Sequence, residues 1–291
     1  MTRVLPLAAV CIALLLAGCG APVADTSTPA PTSPTTDNPT QSTHSATTAA
    51  TTPETPAETT TQSVTAPADG DYPPGVTAAG VENASRLLAA HQTTIVERGA
   101  YTVSQTTIDG VVRGEPFGIV SQSVVQFAPN GSRVRWTNTG ANTIGNETTV
   151  QDARYYANRT AVATRAVQDA NVSVNERNRS DLYDRVLRNA ATQQRVLQST
   201  LTSAEFAVAG VEERNGTTVT TLVAENGTYD ADRPVTAFSA TLELSESGRV
   251  LSFTRTRTLR TDLSTEHHRT TVTWRPVVLP VSPPAWTPWR Q

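Results

Sequence analysis

The sequence predicts an α+β fold, in which a curved, half-barrel-like antiparallel sheet carries about two helices on its concave face. Three observations lead to this prediction. Short β-branched runs separated by tight-turn signals fill the C-terminal part of the chain, and two stretches show the 3–4 spacing of an amphipathic helix. Strands and helices also do not alternate, so a parallel α/β sheet is not expected.

Two helices account for the amphipathic stretches. The first is predicted to end at the C-cap Gly99, and its buried face is Val81, Ala84, Leu88, His91 and Ile95. The second is predicted to begin at the N-cap Ser180, and its buried stripe is Leu182, Val186, Ala190, Gln193, Leu197 and Leu201. Two isolated amphipathic helices must bury these stripes against the sheet.

Roughly nine antiparallel strands are predicted around the helices. Turn signals such as Pro129-Asn130-Gly131, Asn215-Gly216 and Asn226-Gly227 separate them. The clearest runs are 100–108, 118–128, 132–138, 205–213, 217–224, 235–244, 250–259 and 265–275. Residues 154–157 and 160–165 could form a further hairpin about Asn158-Arg159.

The N-terminus has the pattern of an export signal that ends in a lipid attachment site. Arg3 precedes an apolar run, residues 4–16, that is too short to span a bilayer comfortably and ends in Leu-Ala-Gly-Cys. This lipobox pattern predicts a signal peptide over residues 1–18, cleavage after Gly18, and diacylglycerol on the Cys19 sulfur. The alternatives are a plain signal peptide with a coincidental cysteine and an uncleaved anchor.

Residues 19–74 are expected to be a disordered linker rich in Thr, Ser and Pro. Between residues 20 and 71, Val23 and Val64 are the only large apolar side chains, and no Phe, Trp or Tyr occurs. Such a segment buries too little apolar surface to offset its ordering entropy. Residues 75–291 then suit one medium-sized domain. The mature chain would keep one cysteine, so no intrachain disulfide is expected.

This layout resembles the haloarchaeal surface lipoproteins of unknown function, whose domain is similar to the LolA-like and LppX-like lipoprotein fold. The resemblance covers about residues 76–288. It rests on the lipobox, the Thr/Pro stalk, the helix leading into Ala100-Tyr101-Thr102-Val103, and the ending that contains Pro283, Pro284 and Trp286. Relatives with that fold are lipid carriers or lipoprotein chaperones, so the resemblance implies an apolar cavity between sheet and helices. It identifies no ligand residue.

No catalytic site, metal site or cofactor is predicted, and we do not expect an enzyme. His267 and His268 are neighbours on a strand and should face opposite sides of the sheet, without a third ligand nearby. His91 is interpreted as a hydrogen-bonded core residue. No Gly-x-Ser-x-Gly motif occurs, and the acidic pairs Glu212-Glu213 and Asp230/Asp232 are interpreted as solvated.

Several side chains leave binding interpretations open. Arg255 and Arg257, with Arg260 beyond, form a strand face that is either solvated or able to meet anionic headgroups or glycans. Trp286 and Trp289 either cap the end of the sheet or line a cavity mouth, and the cap is favoured. The net charge of −3 and the lack of a basic face argue against a nucleic-acid partner.

Eight Asn-x-Ser/Thr sequons are candidate glycosylation sites. They begin at Asn83, Asn130, Asn146, Asn158, Asn171, Asn178, Asn215 and Asn226.

Two functional hypotheses follow for a protein on the extracytoplasmic face of the cell membrane. The first is a non-catalytic binding module that holds a lipid or other hydrophobic ligand in a cavity. The second is a structural or protein-interaction component of the cell envelope, with a fully packed core and no small-molecule ligand.

Overall fold

The computed structural model describes residues 72–168, 171–228, 234–278 and 280–287. The predicted signal peptide, Cys19 and the linker as far as residue 71 lie outside the described residues. So do Asp230, Asp232 and Trp289.

An open, eleven-stranded antiparallel sheet dominates the described residues, which confirms the predicted α+β class. Two short strands, β1 (Val76–Thr77) and β2 (Gly80–Val81), pair with each other before it. The strands of the large sheet are β3 (Ala100–Val112), β4 (Glu115–Phe127), β5 (Val134–Ile144), β6 (Glu147–Ala157), β7 (Ala161–Gln168), β8 (Asn171–Asn178), β9 (Ala207–Arg214), β10 (Thr217–Ala224), β11 (Val235–Ser245), β12 (Val250–Arg260) and β13 (Ser264–Arg275).

The sheet consists of two meanders that meet at its centre. Its strand order is β8-β7-β6-β5-β4-β3-β13-β12-β11-β10-β9. Strands β3 to β8 step outward in one direction, and strands β9 to β13 step back from the opposite edge. The first and the last strand of the sheet therefore pair in the middle, through a register that runs from Val112–Ser264 to Tyr101–Arg275.

The predicted strand count was too low, because polar strand segments lack the alternation that marks a half-buried strand. Strands β3 to β6 extend well beyond the predicted runs and meet at turns containing Gly114 and Gly145, both with positive φ. Strand β8 was missed entirely. All eight of its residues are exposed, so its sequence carries no burial period.

The first helix, α1 (Ala84–Arg98), has the predicted position and C-cap. The Asn83 side-chain oxygen accepts a hydrogen bond from the Arg86 backbone N–H at 2.9 Å, and the chain leaves the helix at Gly99, with φ of 74°. Leu88, His91 and Ile95 are buried as predicted. Val81 was wrongly included in the helix, because it belongs to strand β2.

The second predicted helix is four consecutive segments rather than one. They are α2 (Arg179–Leu182), a π-helical turn (Tyr183–Leu187), α3 (Arg188–Thr192) and α4 (Gln194–Ser203). The N-cap is Asn178 instead of Ser180, and Gln193, with φ of 53°, separates α3 from α4. The predicted stripe is otherwise correct, because Leu182, Val186, Ala190, Leu197 and Leu201 are buried. Gln193 is half-buried, and its side-chain amide donates to the Ala190 carbonyl.

The junction between α3 and α4 is hydrogen-bonded directly to the sheet and to α1. The Thr102 hydroxyl and the Trp274 indole N–H both donate to the Ala191 carbonyl at 2.9 Å. His91 Nε2 lies 3.1 Å from the Thr192 carbonyl, and the Val250 N–H donates to His91 Nδ1 at 3.1 Å. These polar contacts lie within a fully buried apolar core that includes Phe127, Leu197, Leu222, Leu242 and Phe253.

Candidate functional site

Strand register divides the sheet into two faces. We call the side that carries Thr102, Phe253 and Trp274 the helix face, because Thr102 and Trp274 bond the α3–α4 junction. The opposite side is the outer face. Successive residues of a strand alternate between the two faces.

One row of the helix face brings apolar and basic side chains together. We call it the distal row. Its members are neighbours across six strands in the order Phe238, Arg257, His268, Ile108, Ile119 and Asn142. Ile108 and Ile119 are half-buried, and Phe117 precedes Ile119 by two residues on the same face.

The two basic members of this row, Arg257 and His268, are connected, and the carboxylate of Glu266 lies next to His268. His268 Nε2 lies 2.9 Å from Glu266 Oε2, and their side chains are only 11 % and 14 % exposed. Arg257 Nη2 lies 3.4 Å from His268 Nδ1. The row therefore holds a guanidinium and an imidazole beside two isoleucines, in an arrangement suited to a ligand with one polar and one apolar end.

Of the two interpretations of the strand face with Arg255, Arg257 and Arg260, the solvated one was wrong for Arg255, while Arg260 is exposed. Arg255 is 8 % exposed and donates to the Thr200 hydroxyl at 2.9 Å, so α4 lies directly over it. Arg257, two residues on, is half-buried on the same face. Both arginines lie on the helix face, which the strand sequence alone did not indicate.

His267 faces the other way, as predicted for adjacent strand residues. It is exposed on the outer face, and its Nδ1 lies 3.1 Å from the Thr258 hydroxyl. A depression of about 160 Å³ lies beside it, next to Asp109 and Arg269. In the described part of the chain, no three His, Cys, Asp or Glu side chains come close enough to hold a metal ion.

A larger pocket adjoins the distal row. It has a volume of about 590 Å³ and opens where the end of α4 meets the end of β10 and the start of β11. We call it the α4 pocket. Among its lining residues are Ser203, Ala204, Gly227, Val235 and Phe238. Phe238 lines this pocket and is also the first member of the distal row, so the two features share one residue.

The C-terminal tail forms a second pocket of about 700 Å³, which is lined by Pro129, Arg133, Asn158, Pro280 and Val281 among others. Nearby, Trp286 packs against a buried cluster of Ala128, Tyr156 and Val281. This contact agrees with the favoured interpretation of Trp286 as a cap on the end of the sheet. The exposed Glu212 and Glu213 lie at the end of β9, as expected for solvated residues.

An aromatic pair on the helix face was not singled out in the sequence. Trp136 and Tyr155 stack with ring centroids 4.3 Å apart, and the Trp136 indole N–H donates to the Ser123 hydroxyl at 2.7 Å. The two aromatics are register partners on β5 and β6. Only knowledge of that strand pairing would have brought them together.

Neither a protein-family model nor a curated protein matches this chain. Among solved structures, LprF from Mycobacterium bovis is similar, with a TM-score of 0.33 and 11 % identity over 72 % of this chain and 98 % of that one. A domain from Vibrio parahaemolyticus assigned to outer membrane lipoprotein sorting has a TM-score of 0.23 and 11 % identity, over 68 % of this chain and 95 % of its own. The structural similarity to both is distant.

Within the described ranges, none of the helices has the length and apolar character needed to cross a bilayer.

Proposed function

We propose that the protein is a non-catalytic binding module, held on the extracytoplasmic face of the cell membrane by lipid on Cys19, for a lipid or other hydrophobic ligand with a polar end. The observation that carries the proposal is the distal row, in which Arg257 and His268 lie beside Ile108 and Ile119. The α4 pocket lies beside this row and shares Phe238 with it.

Each part of the row would contribute differently to binding. An acyl chain lying on Ile108, Ile119 and Phe117 would remove apolar surface from water, which is worth about 25 cal/mol per Å². Arg257 presents a planar guanidinium that suits a carboxylate or phosphate. The contact between His268 and Glu266 holds the His268 imidazole beside this guanidinium. The α4 pocket has a volume in the ordinary range for small-ligand sites.

The ligand proposal can be tested with adjacent residues on β4 that face opposite sides. Ile119 lies in the distal row, whereas Val120 lies on the outer face and is 46 % exposed. We expect Ile119→Asp to reduce lipid that co-purifies in native mass spectrometry by about tenfold, the equivalent of about 1.4 kcal/mol. Val120→Asp should retain the wild-type amount. Urea unfolding of both variants would show that each remains folded.

Two outcomes would contradict this proposal. The first is wild-type protein that is repeatedly free of ligand when purified gently from its own membrane. The second is an equal loss of lipid in both variants, because Asp on the outer face cannot touch the distal row.

The second candidate function is a structural or interaction component of the envelope. It is favoured by the direct hydrogen bonds of Thr102, Trp274 and Arg255 to the helices, which leave the described sheet and helices in contact rather than separated by a cavity. In that case crosslinking on intact cells should recover one consistent protein partner. Ile119→Asp would then leave the lipid content unchanged.

The anchor proposal has its own test. The mature wild-type protein should begin at Cys19 and carry the mass of a diacylglycerol group, because two acyl chains give stable anchoring where one gives only marginal binding. Cys19→Ser should lack the diacylglycerol mass. Membrane fractions of cells that make this variant should contain no mature acylated form of the protein. An intact leader or a bare Cys19 thiol in the wild type would contradict the anchor.

A further inference from the structure

The asparagines of this chain separate into two structural groups. The sequence contains thirteen, and twelve of them lie in the described residues. Eight begin an Asn-x-Ser/Thr sequon without Pro at the middle position, and the other four do not. This division can be compared with the position of each asparagine in the fold.

All eight sequon asparagines lie at the boundaries of secondary structure. Asn83 caps α1, and Asn226 follows β10. Hairpin turns contain Asn130, Asn146, Asn158 and Asn215, while Asn171 and Asn178 are the first and last residues of β8. Seven of the eight are exposed, and Asn158 is half-buried.

The four asparagines without a sequon lie inside elements instead. Asn138 and Asn142 are within β5, Asn175 is within β8, and Asn189 is in α3. Every described asparagine at a boundary therefore has the motif, and none of the internal ones has it. The positions that accept a bulky group without disturbing a strand or helix are the ones with the modification motif.

We propose that this protein is N-glycosylated at the boundary asparagines, and that the glycans on Asn171 and Asn178 protect the edge strand β8. The inference rests on the export in the proposed function, because the transferase and its lipid-linked sugar phosphate donor act outside the cytoplasm. In the transfer, the bond between sugar C1 and the phosphate oxygen breaks and a bond from C1 to Asn Nδ2 forms. The amide gives up one proton, and the lipid phosphate leaves.

The capping bonds of these asparagines are compatible with the modification. In Asn83, Asn158 and Asn178 the side-chain atom that accepts backbone N–H groups is Oδ1, at distances of 2.8–3.3 Å. A sugar is attached through Nδ2, so it leaves these hydrogen bonds in place. Asn158 is the least accessible of the eight sites, and we expect the lowest occupancy there.

The position of β8 in the sheet suggests a role for the glycans on Asn171 and Asn178. It is one edge of the sheet, and every residue is exposed, including Val172 at 56 % and Val174 at 51 %. An exposed edge strand offers unpaired backbone groups to a strand of another molecule. Asn171 and Asn178 stand at its two ends and, being seven residues apart, project from opposite faces of the sheet. Glycans there would obstruct an incoming strand at both ends.

The test uses full-length protein purified from the membrane of its own cells. Peptide mapping should find hexose-containing mass on exposed sequons such as Asn130, Asn171, Asn178 and Asn215. Ser173→Ala and Ser180→Ala together remove the two β8 sequons without changing either asparagine. This double variant should lose two glycans and self-associate in sedimentation velocity. Asn175→Gln, in the same strand but outside any sequon, should keep the wild-type glycan mass and remain monomeric.

Each negative result has a distinct meaning. Acylated protein in which all eight sequon asparagines are bare overturns glycosylation while leaving the proposed function intact. Sugar on other sequons with bare Asn171 and Asn178 overturns the protective role on β8. Glycosylated wild type whose double variant stays monomeric overturns the protective role on β8. A chain that retains its leader and carries neither lipid nor sugar would refute the export on which both proposals depend.

Discussion

Phe253→Ala is expected to lower the free energy of unfolding by about 3–5 kcal/mol, the usual cost of removing a buried phenyl ring. Phe253 is 1 % exposed on the helix face of β12. Its register partners are Leu242 on β11 and Val272 on β13, both no more than 1 % exposed. Hydrogen bonds to β11 and β13 fix the position of β12 in the sheet. The cavity left by the missing ring can therefore collapse only in part.

Urea unfolding followed by circular dichroism would measure this loss. Phe253→Leu fills more of the space and should cost clearly less than the Ala variant. Val150→Ala, on a side chain that is 61 % exposed, should change the stability by no more than about 0.5 kcal/mol. A loss below about 1 kcal/mol for Phe253→Ala would mean that the helix face is not packed as described.

The sequence predicts an element correctly where neighbouring residues determine the backbone conformation. Helix α1 was predictable because its stripe has helical spacing and Gly99 can adopt the positive φ that ends it. The turns around Asn130 and Asn215 were predictable for the same kind of reason, since Asn and Gly tolerate left-handed backbone. The turn at Asn158 was predictable because an Asn side chain can accept hydrogen bonds from backbone N–H groups two and three residues on. The helices and most hairpins could therefore be placed, although the predicted strands were often shorter than the observed ones.

The break at Gln193 could not be predicted, because its reason is tertiary. Gln193 adopts left-handed backbone without any preference for it, and this ends α3. The Ala191 and Thr192 carbonyls are then in the last turn of a helix and lack onward partners. Thr102, Trp274 and His91 supply these contacts from the sheet and α1. The compensating groups come from parts of the chain 83 to 101 residues away.

The candidate site was also beyond local analysis. Alternation along β12 correctly put Arg255 and Arg257 on one face, but not on the face that the helices cover. The distal row depends on the pairing of β3 with β13, the first and last strands of the sheet. That pairing joins Ile108 to His268. The two residues are far apart in sequence, and neither belongs to a motif that would mark a binding site.

His91 should make the stability of the fold fall as the pH is lowered from about 6.5 to about 4. Burial of the ring lowers its pKa from 6.5 to about 4; the hydrogen bond to Thr192 opposes this, and the Arg249 charge adds to it. Nδ1 accepts the Val250 N–H, so Nε2 carries the proton and donates to Thr192. The folded ring therefore stays neutral in a pH range where the unfolded ring binds a proton.

The sign follows from this difference in proton binding. Above about pH 6.5 neither state is protonated at His91, and the full stability is present. Between the two pKa values only the unfolded state gains a proton, so stability decreases by up to about 1.4 kcal/mol per pH unit, or roughly 3 kcal/mol in all. Below about pH 4 both states are protonated and His91 contributes no further slope.

A matched pair of variants separates His91 from the carboxylates that titrate in the same range. His91→Gln stays neutral at every pH, and although it costs stability at pH 7.5 it should flatten the curve between pH 6.5 and 4.5. His267→Gln, which replaces an exposed imidazole on the outer face, is the matched control for the same substitution. If wild type and His91→Gln lost stability in parallel over this range, the imidazole would have to be charged or solvated in the fold. The contacts of its two ring nitrogens to Thr192 and Val250 would then be wrong, and with them the seating of the α3–α4 junction on the sheet.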